Sequence, residues 1–307
     1  MKDQPHLSKT TPLFRHAWLA FVRRLCSKIE EIIPGNMEPL SYVLGHNSDA
    51  LNRLTQQHLM IKPFTNKIIH DSGLLDSRRV LEVGCGFGDV TLMLHDLLDQ
   101  ASSITAVDRE QKAVVAASTR LKEMGVSNVN FLHAEPSCIE FEEQFDAVFG
   151  RYVLLFQPDA AVWLRRLARH VRPGGLMVFH EPDLQSLRSF PVVPSYEKCS
   201  HWVVQTFDRA GTPVVMVDKM HKAFIDAGLD EPQMRLQTFI GGVKTSESWI
   251  NALCELANSM SDSIEKYGYA TADDLEMPRL YERIIQEMKE RQSVVIGRTE
   301  VGAWCRL

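Results

Sequence analysis

Val80-Leu81-Glu82-Val83-Gly84-Cys85-Gly86-Phe87-Gly88 decides the fold. Residues 79–84 form a short, β-branched apolar run of the kind that fills a buried strand. The three glycines that follow lack Cβ, so the chain can turn sharply and bring its backbone close to a ligand. From Asp89 to about Asp99 the spacing is helical, and a helix that starts here offers free N–H groups and a positive dipole end to a carboxylate or phosphate. A glycine-rich strand-to-helix turn without any ligand would read the same way, so the turn needs support from elsewhere in the chain.

Outward from the turn, strand and helix signals alternate. Ser103–Val107 reads as a second strand, and 110–125 as a helix ending on a glycine. Val129–His133 and Phe145–Phe149 read as further strands. A helix over 159–170 stops at Pro173-Gly174-Gly175, and Leu176–His180 makes a fifth strand. This alternation predicts a mostly parallel sheet covered on both faces. Beyond Pro182 it loosens: helices are expected at 195–209, 217–227, 246–267 and 273–291, with strands at 234–240 and 301–306. Cap helices are expected at 40–72, 183–215 and 245–292, around a domain spanning 37–307. Residues 1–36 read as an N-terminal extension, for which an amphipathic, basic helix at 13–33 (Arg15, Arg23, Arg24 and Lys28 among Phe14, Trp18 and Phe21) suggests packing on the domain, a membrane surface or organelle targeting.

Acidic residues recur at the strand ends, where open α/β sheets bind ligands. Asp108 ends the second strand, 20 residues after Gly88, where a carboxylate can accept from both hydroxyls of a ribose. Glu135 follows the third strand and could accept from an adenine amine. Asp146 opens the fourth strand and Arg151 follows it. A nicotinamide dinucleotide would use the same ribose acid, but its Gly-x-Gly-x-x-Gly fingerprint sets the third glycine three residues after the second, and here the interval is two.

Glu82-x-Gly84-x-Gly86-x-Gly88, Asp108, Glu135, the strand Phe145-Asp146-Ala147-Val148 and Pro173-Gly174-Gly175 together resemble the class I S-adenosylmethionine-dependent methyltransferases, in particular their small-molecule branch. The resemblance covers about 40–182 with ordered motifs. It implies a Rossmann-like α/β three-layer sandwich with a mostly parallel seven-stranded sheet, an antiparallel last strand and helical insertions. It also implies S-adenosyl-L-methionine as cofactor, with Glu82, Gly84, Gly86 and Gly88 around its methionine part, Asp108 and Arg109 at the ribose, and Glu135 and Pro136 at the adenine. The third acid is usually Asp in that family. Tyr42 would lie over the sulfonium through a cation–π contact, or pack in the core.

Methyl transfer from a sulfonium needs alignment and exclusion of water, and no metal. For a hydroxyl or phenol acceptor a general base helps, and His180, after the fifth strand, is the preferred candidate over His201. Arg151 would orient the cofactor or an anionic acceptor, or form an ion pair with Glu181 or Asp183. The insertions are rich in Trp202, Phe207, Met216, Met220, Phe224, Trp249 and Met260, which predicts either core or a pocket for an apolar or aromatic small molecule.

The whole chain of 307 residues has a net charge of −5, 45% hydrophobic and 24% charged residues. That balance argues against a dedicated nucleic-acid partner. No apolar run is long enough to span a membrane. The six scattered cysteines suggest a reducing, cytoplasmic setting and neither disulfides nor a zinc site. A homodimer is left open. Other readings are a protein or RNA methyltransferase, a cofactor-binding protein of this fold that transfers no methyl group, and a dehydrogenase.

Overall fold

The computed structural model describes residues 48–99 and 102–307, so the expectations for Tyr42, for 1–36 and for the boundary at 36/37 lie outside the described residues. Within them the chain runs α1 (Ser48–Ser72), β1 (Arg79–Val83), α2 (Asp89–Leu97), β2 (Ser103–Asp108), α3 (Gln111–Glu123), β3 (Val129–His133), β4 (Phe145–Arg151), α4 (Ala160–Ala168), β5 (Val171–Asp183) and β6 (Arg188–Phe190). It continues with α5 (Pro194–Arg209), α6 (Val217–Asp226), β7 (Gln233–Gly241), α7 (Glu247–Ser259), α8 (Ser261–Lys266), α9 (Ala272–Leu275), α10 (Met277–Arg291) and β8 (Val294–Arg306). Among these residues no helix is long and apolar enough to cross a membrane.

The sheet has the order β3-β2-β1-β4-β5-β8, with β1 to β5 parallel and β8 antiparallel to β5. β7 pairs antiparallel with the other edge of β8, and short β6 takes over from β5 along the first half of β8. The mostly parallel Rossmann-like sandwich is therefore present, with β6 as an eighth strand. β1 and β4 are neighbours although they are not consecutive, so the chain leaves their carboxyl ends in opposite directions. A crevice forms at such a switch point, and here its rims are Gly84 and Arg151.

β1 is buried except at Arg79, as a strand covered on both faces must be. One face packs on α1 and α2 through Ile68, Ile69, Val90, Met93 and Leu94. The other packs on α4 and α6 through Trp163, Leu164, Met220 and Phe224. A separate apolar cluster built from α5, α7 and α10, with Trp202, Trp249, Leu253, Ile284 and Met288, forms the helical insertion. The aromatic residues expected to be core or pocket are buried.

Three local differences from the sequence reading have physical causes. Asp159 caps α4, its carboxylate accepting from the Val162 N–H, so the helix proper starts one residue later. Pro173-Gly174-Gly175 does not separate helix from strand. It is an irregularity inside β5, where the register with β4 shifts and Gly175 has no room for a Cβ beside the Asp146 carbonyl. Finally, β8 begins at Val294 and not at Val301, which draws Arg298 and Glu300 into the buried middle of the sheet.

Gly302 on β8 sits against α1: a Cβ there would stand 2.6 Å from Ile68 Cγ1. Gly302→Ala should therefore destabilise the fold by about 1–3 kcal/mol, and Ile68→Val should recover part of that loss when combined with it. Urea unfolding checks this; an unchanged midpoint for the single variant would mean that α1 does not pack there.

Candidate active site

The turn after β1 is held by the neighbouring strand, since the Gly84 and Cys85 N–H groups both donate to the Val107 carbonyl (2.8 and 3.1 Å). Gly84, Gly86 and Gly88 have φ of 73°, 51° and 83°, which an L side chain rarely adopts. Their surroundings differ. A Cβ on Gly84 would strike Val153, and one on Gly88 would press on Leu121 and Ala117 of α3, whereas one on Gly86 would meet nothing within 4 Å. Gly86 thus opens onto free space, while Gly88, buried as the N-cap of α2, serves helix packing and not a ligand. Glu82 likewise stands behind the turn, 2% exposed, and burial pushes its carboxyl up to about 7. Among the described residues its Oε2 has no hydrogen-bond partner.

A cavity of about 310 Å³ lies over the turn. Its walls include Gly84, Cys85, Gly86, Phe87 and Asp89 on the turn side, Arg151 and Tyr152 from the end of β4, His58 and Ile61 from α1, and Leu155, Phe156, Leu184, Phe207 and Leu256. Asp108 joins this site through hydrogen bonds: Oδ2 accepts from the Gly86 N–H (2.8 Å) and Oδ1 from the Glu110 N–H (2.9 Å). A carboxylate has about four lone-pair positions, so each oxygen can still accept once more. Arg109 is exposed, and its carbonyl meets His133 Nε2 at 3.0 Å. Glu135 Oε1 accepts from Ser137 N, Ser137 Oγ and Trp163 Nε1, which fixes this carboxylate beside Pro136 at the end of β3. Arg109, Glu135 and Pro136 therefore stand along the carboxyl edge of the sheet, outside the 310 Å³ cavity.

Behind the cavity is a chain of hydrogen bonds that sequence reasoning missed. Arg151 Nη1 donates to Thr65 Oγ1 (3.3 Å), Thr65 Oγ1 meets His180 Nδ1 (3.2 Å), and His180 Nε2 meets Glu300 Oε2 (2.8 Å). Tyr152 Oη donates to the same oxygen (2.7 Å), and Arg298 donates through Nε to Glu300 Oε1 (2.7 Å) and through Nη2 to Tyr152 Oη (2.8 Å). Burial alone would raise the Glu300 carboxyl, but the Arg298 charge and the His180 and Tyr152 hydrogen bonds outweigh it and hold it at about 2. Two of these residues were legible in principle. Arg298 and Glu300 are charges inside an otherwise apolar strand, on the same face two residues apart, and charges so placed are rarely left unpaired.

His180 is accordingly not placed to act as a base. It is fully buried, it does not reach the cavity, and both ring nitrogens are engaged; burial lowers its pKa further. It holds α1 to β8 instead. His58, which does line the cavity, accepts at Nδ1 from Arg151 Nη2 (3.2 Å). A guanidinium only donates, so the ring proton of His58 sits on Nε2; burial and then the Arg151 charge push its pKa down to about 4. Neither acid expected to pair with Arg151 does so. Glu181 accepts from the Val153 and Leu154 N–H groups, and Asp183 from those of Gln185 and Met216. His201 is exposed on α5.

Residues 80–175 match the family model described as a methyltransferase domain. The demethylmenaquinone methyltransferase of Staphylococcus aureus (strain JH9) is 26% identical over 215 residues, covering 64% of this chain and 84% of that protein. Among solved structures, geranyl diphosphate methyltransferase in complex with SAM is 15% identical with a TM-score of 0.50, covering 87% of this chain and 94% of that one. A protein of Galdieria sulphuraria assigned as a sarcosine dimethylglycine methyltransferase is 14% identical with a TM-score of 0.51, covering 81% and 85%. At these identities the two structures speak for the fold.

The raised carboxyl of Glu82 has a stability consequence. The folded state keeps the proton to about pH 7 while the unfolded chain releases it near 4.5, so this group's contribution is present below about 4.5 and is lost as pH rises through 7. Relative to wild type, Glu82→Gln should gain stability across that interval, on the order of 1–3 kcal/mol, and level off above it. Urea midpoints at several pH values measure the difference; a flat difference curve would mean that Glu82 is not held protonated.

Proposed function

We propose that this chain is a class I S-adenosylmethionine-dependent methyltransferase that methylates a small, apolar or aromatic organic acceptor at oxygen or carbon. The observation that carries this reading is the pairing of two cavities. The one over the glycine turn shares Gln57, Leu256 and Arg298 with a second, of about 910 Å³, whose walls include Met60, Phe239, Trp249, Leu253, Tyr281 and Val295. A volume of that order suits an acceptor larger than a metabolite of a few atoms, and its apolar side favours an apolar frame while Thr245, Ser246, Glu247, Asn251 and Glu255 line the rest. The demethylmenaquinone and geranyl diphosphate specificities in the names of two similar proteins agree with such an acceptor.

In this reading the Gly84–Gly86 backbone and the N-terminus of α2 receive the methionine part of the cofactor, the remaining lone pairs of Asp108 receive the ribose hydroxyls, and the edge at Arg109, Glu135 and Pro136 receives the adenine. Arg151 orients the bound groups from the cavity wall. The open space at Gly86 supports this fit, because a Cβ would project into it. When bound, the sulfonium supplies an electrophilic methyl group on a good leaving group. The chain's own contribution is alignment within apolar walls that exclude water. His180 is a positioning residue here and touches no reacting atom. A cytoplasmic setting accords with Cys85, Cys199, Cys254 and Cys305 lying buried as thiols.

Calorimetry tests the cofactor assignment. S-adenosylmethionine and its demethylated product should bind and NADH should not, and Asp108→Ala should weaken binding by about fivefold to thirtyfold. Undiminished affinity in that variant would remove Asp108 from the ribose, and a failure of either adenosyl ligand to bind would remove the proposal. Methyl-labelled cofactor offered with quinols, phenols and polyketides then identifies the acceptor.

A further inference from the structure

Building on the function proposed above, we infer that Arg298 receives an ionised oxygen of the acceptor, so that the acceptor class is a planar apolar molecule with an acidic hydroxyl, of phenol or enol type. Arg298 is the cation that stands in the walls of both cavities, where a molecule entering from the larger one would meet the cofactor side. Its guanidinium is held on two of its three nitrogens, by Glu300 and by Tyr152, and Nη1 makes no hydrogen bond among the described residues. It lies over the rings of Tyr152 and Trp249 at 5.3 and 5.9 Å and is 7% exposed. A cation so clamped and desolvated binds an anionic oxygen far more strongly than one in water does.

The charges around it favour an anion. Among the described residues, Arg151 and Arg298 are two guanidinium groups on a hydrogen-bonded network that holds one carboxylate, Glu300, with Arg151 donating there to Thr65 and His58. Of the other acids, Asp89 is paired with Arg120 at 2.7 Å, Glu82 is shifted towards its neutral form, and Glu247 and Glu255 in the walls of the larger cavity are solvent-exposed and accept from Tyr281 and Asn251. The wall beside Arg298 is aromatic: Phe239 stacks on Trp249 with centroids 5.6 Å apart and an interplanar angle of 7°. Tyr152, which locks the guanidinium from below, holds a φ of 59°, an unusual conformation for a bulky residue and one that marks a constrained position.

On binding, the acceptor's O–H proton passes to water and the oxygen anion takes the Nη1 hydrogen bond. No side-chain base is required. That suits a site where both His180 nitrogens are engaged and His58 presents a protonated Nε2.

4-Nitrophenol, whose absorbance reports its ionisation, tests this in the presence of saturating S-adenosylhomocysteine. Bound to the wild type, its affinity for a proton should drop by about tenfold or more, and 4-nitroanisole, the same frame without the acidic O–H, should bind at least about tenfold more weakly. Because Arg298→Met would strand the Glu300 charge, the variant is Arg298→Lys, which keeps a positive partner for Glu300 but withdraws the Nη1 donor; the drop should shrink to within a fewfold of free 4-nitrophenol, about threefold or less, while S-adenosylhomocysteine still binds. The inference is overturned if wild type does not bind 4-nitrophenol, binds it with an unaltered titration, or does not prefer it to the anisole, and equally if Arg298→Lys retains the full effect. A wild type that fails to bind S-adenosylhomocysteine would overturn the function proposed above, and this inference with it.

Discussion

The arrangement of the site depends on one buried carboxylate. Glu300 has no exposure to solvent, and it sits where four parts of the chain must be brought together: β8 itself, the end of β4 through Tyr152, β5 through His180, and α1 through Thr65, which meets His180. A lone carboxylate in such surroundings would be strongly disfavoured. Arg298, Tyr152 and His180 together make it stable, and removing any one partner of a buried pair of this kind typically costs about 3–5 kcal/mol. The geometry of the cavity wall follows from this convergence: each partner has its orientation set by a charge that cannot be left unsatisfied.

Across the cavity the constraint is of a different kind. The glycine turn is shaped by backbone, with Val107 and Asp108 of β2 accepting from the Gly84, Cys85 and Gly86 N–H groups. β1, β2 and β4 are locked in register by their parallel ladders, so the turn and the Arg151–Tyr152 corner are presented at fixed separation by rigid elements. The insertion closes over them with its own apolar core. A polar corner fixed by Glu300 and a backbone turn fixed by β2 thus face one another beneath an apolar cover.

The parallel half of this fold was open to a reading of the sequence because each strand there is a short β-branched run bounded by turn residues; β3 begins and ends where the pattern places it. The glycine turn and Asp108 were legible for the same reason, since φ > 0 and a strand-end carboxylate each require particular residue types. The polar corner was not. Its members come from α1, β4, β5 and β8, and Thr65 lies 115 residues from His180, so no spacing rule links them. The first half of β8 was missed because a glycine and two charges, Gly297, Arg298 and Glu300, break its apolar run, and only the pairing with β5 and β7 shows that those charges are internal. The placing of His180 fails for a related reason: the residue lies within β5, opposite Gly302, and its partners Thr65 and Glu300 on other elements were invisible in the sequence.

In the proposed function the cofactor lies over the glycine turn, between Asp108 and the Arg151 corner. A crystal structure of the chain with S-adenosylhomocysteine decides whether it does. Density for the methionine part is expected against Gly84 and Gly86, with the ribose hydroxyls on Asp108 and the sulfur facing the cavity that Arg298 shares. Density elsewhere, or a ribose with no contact to Asp108, would contradict it.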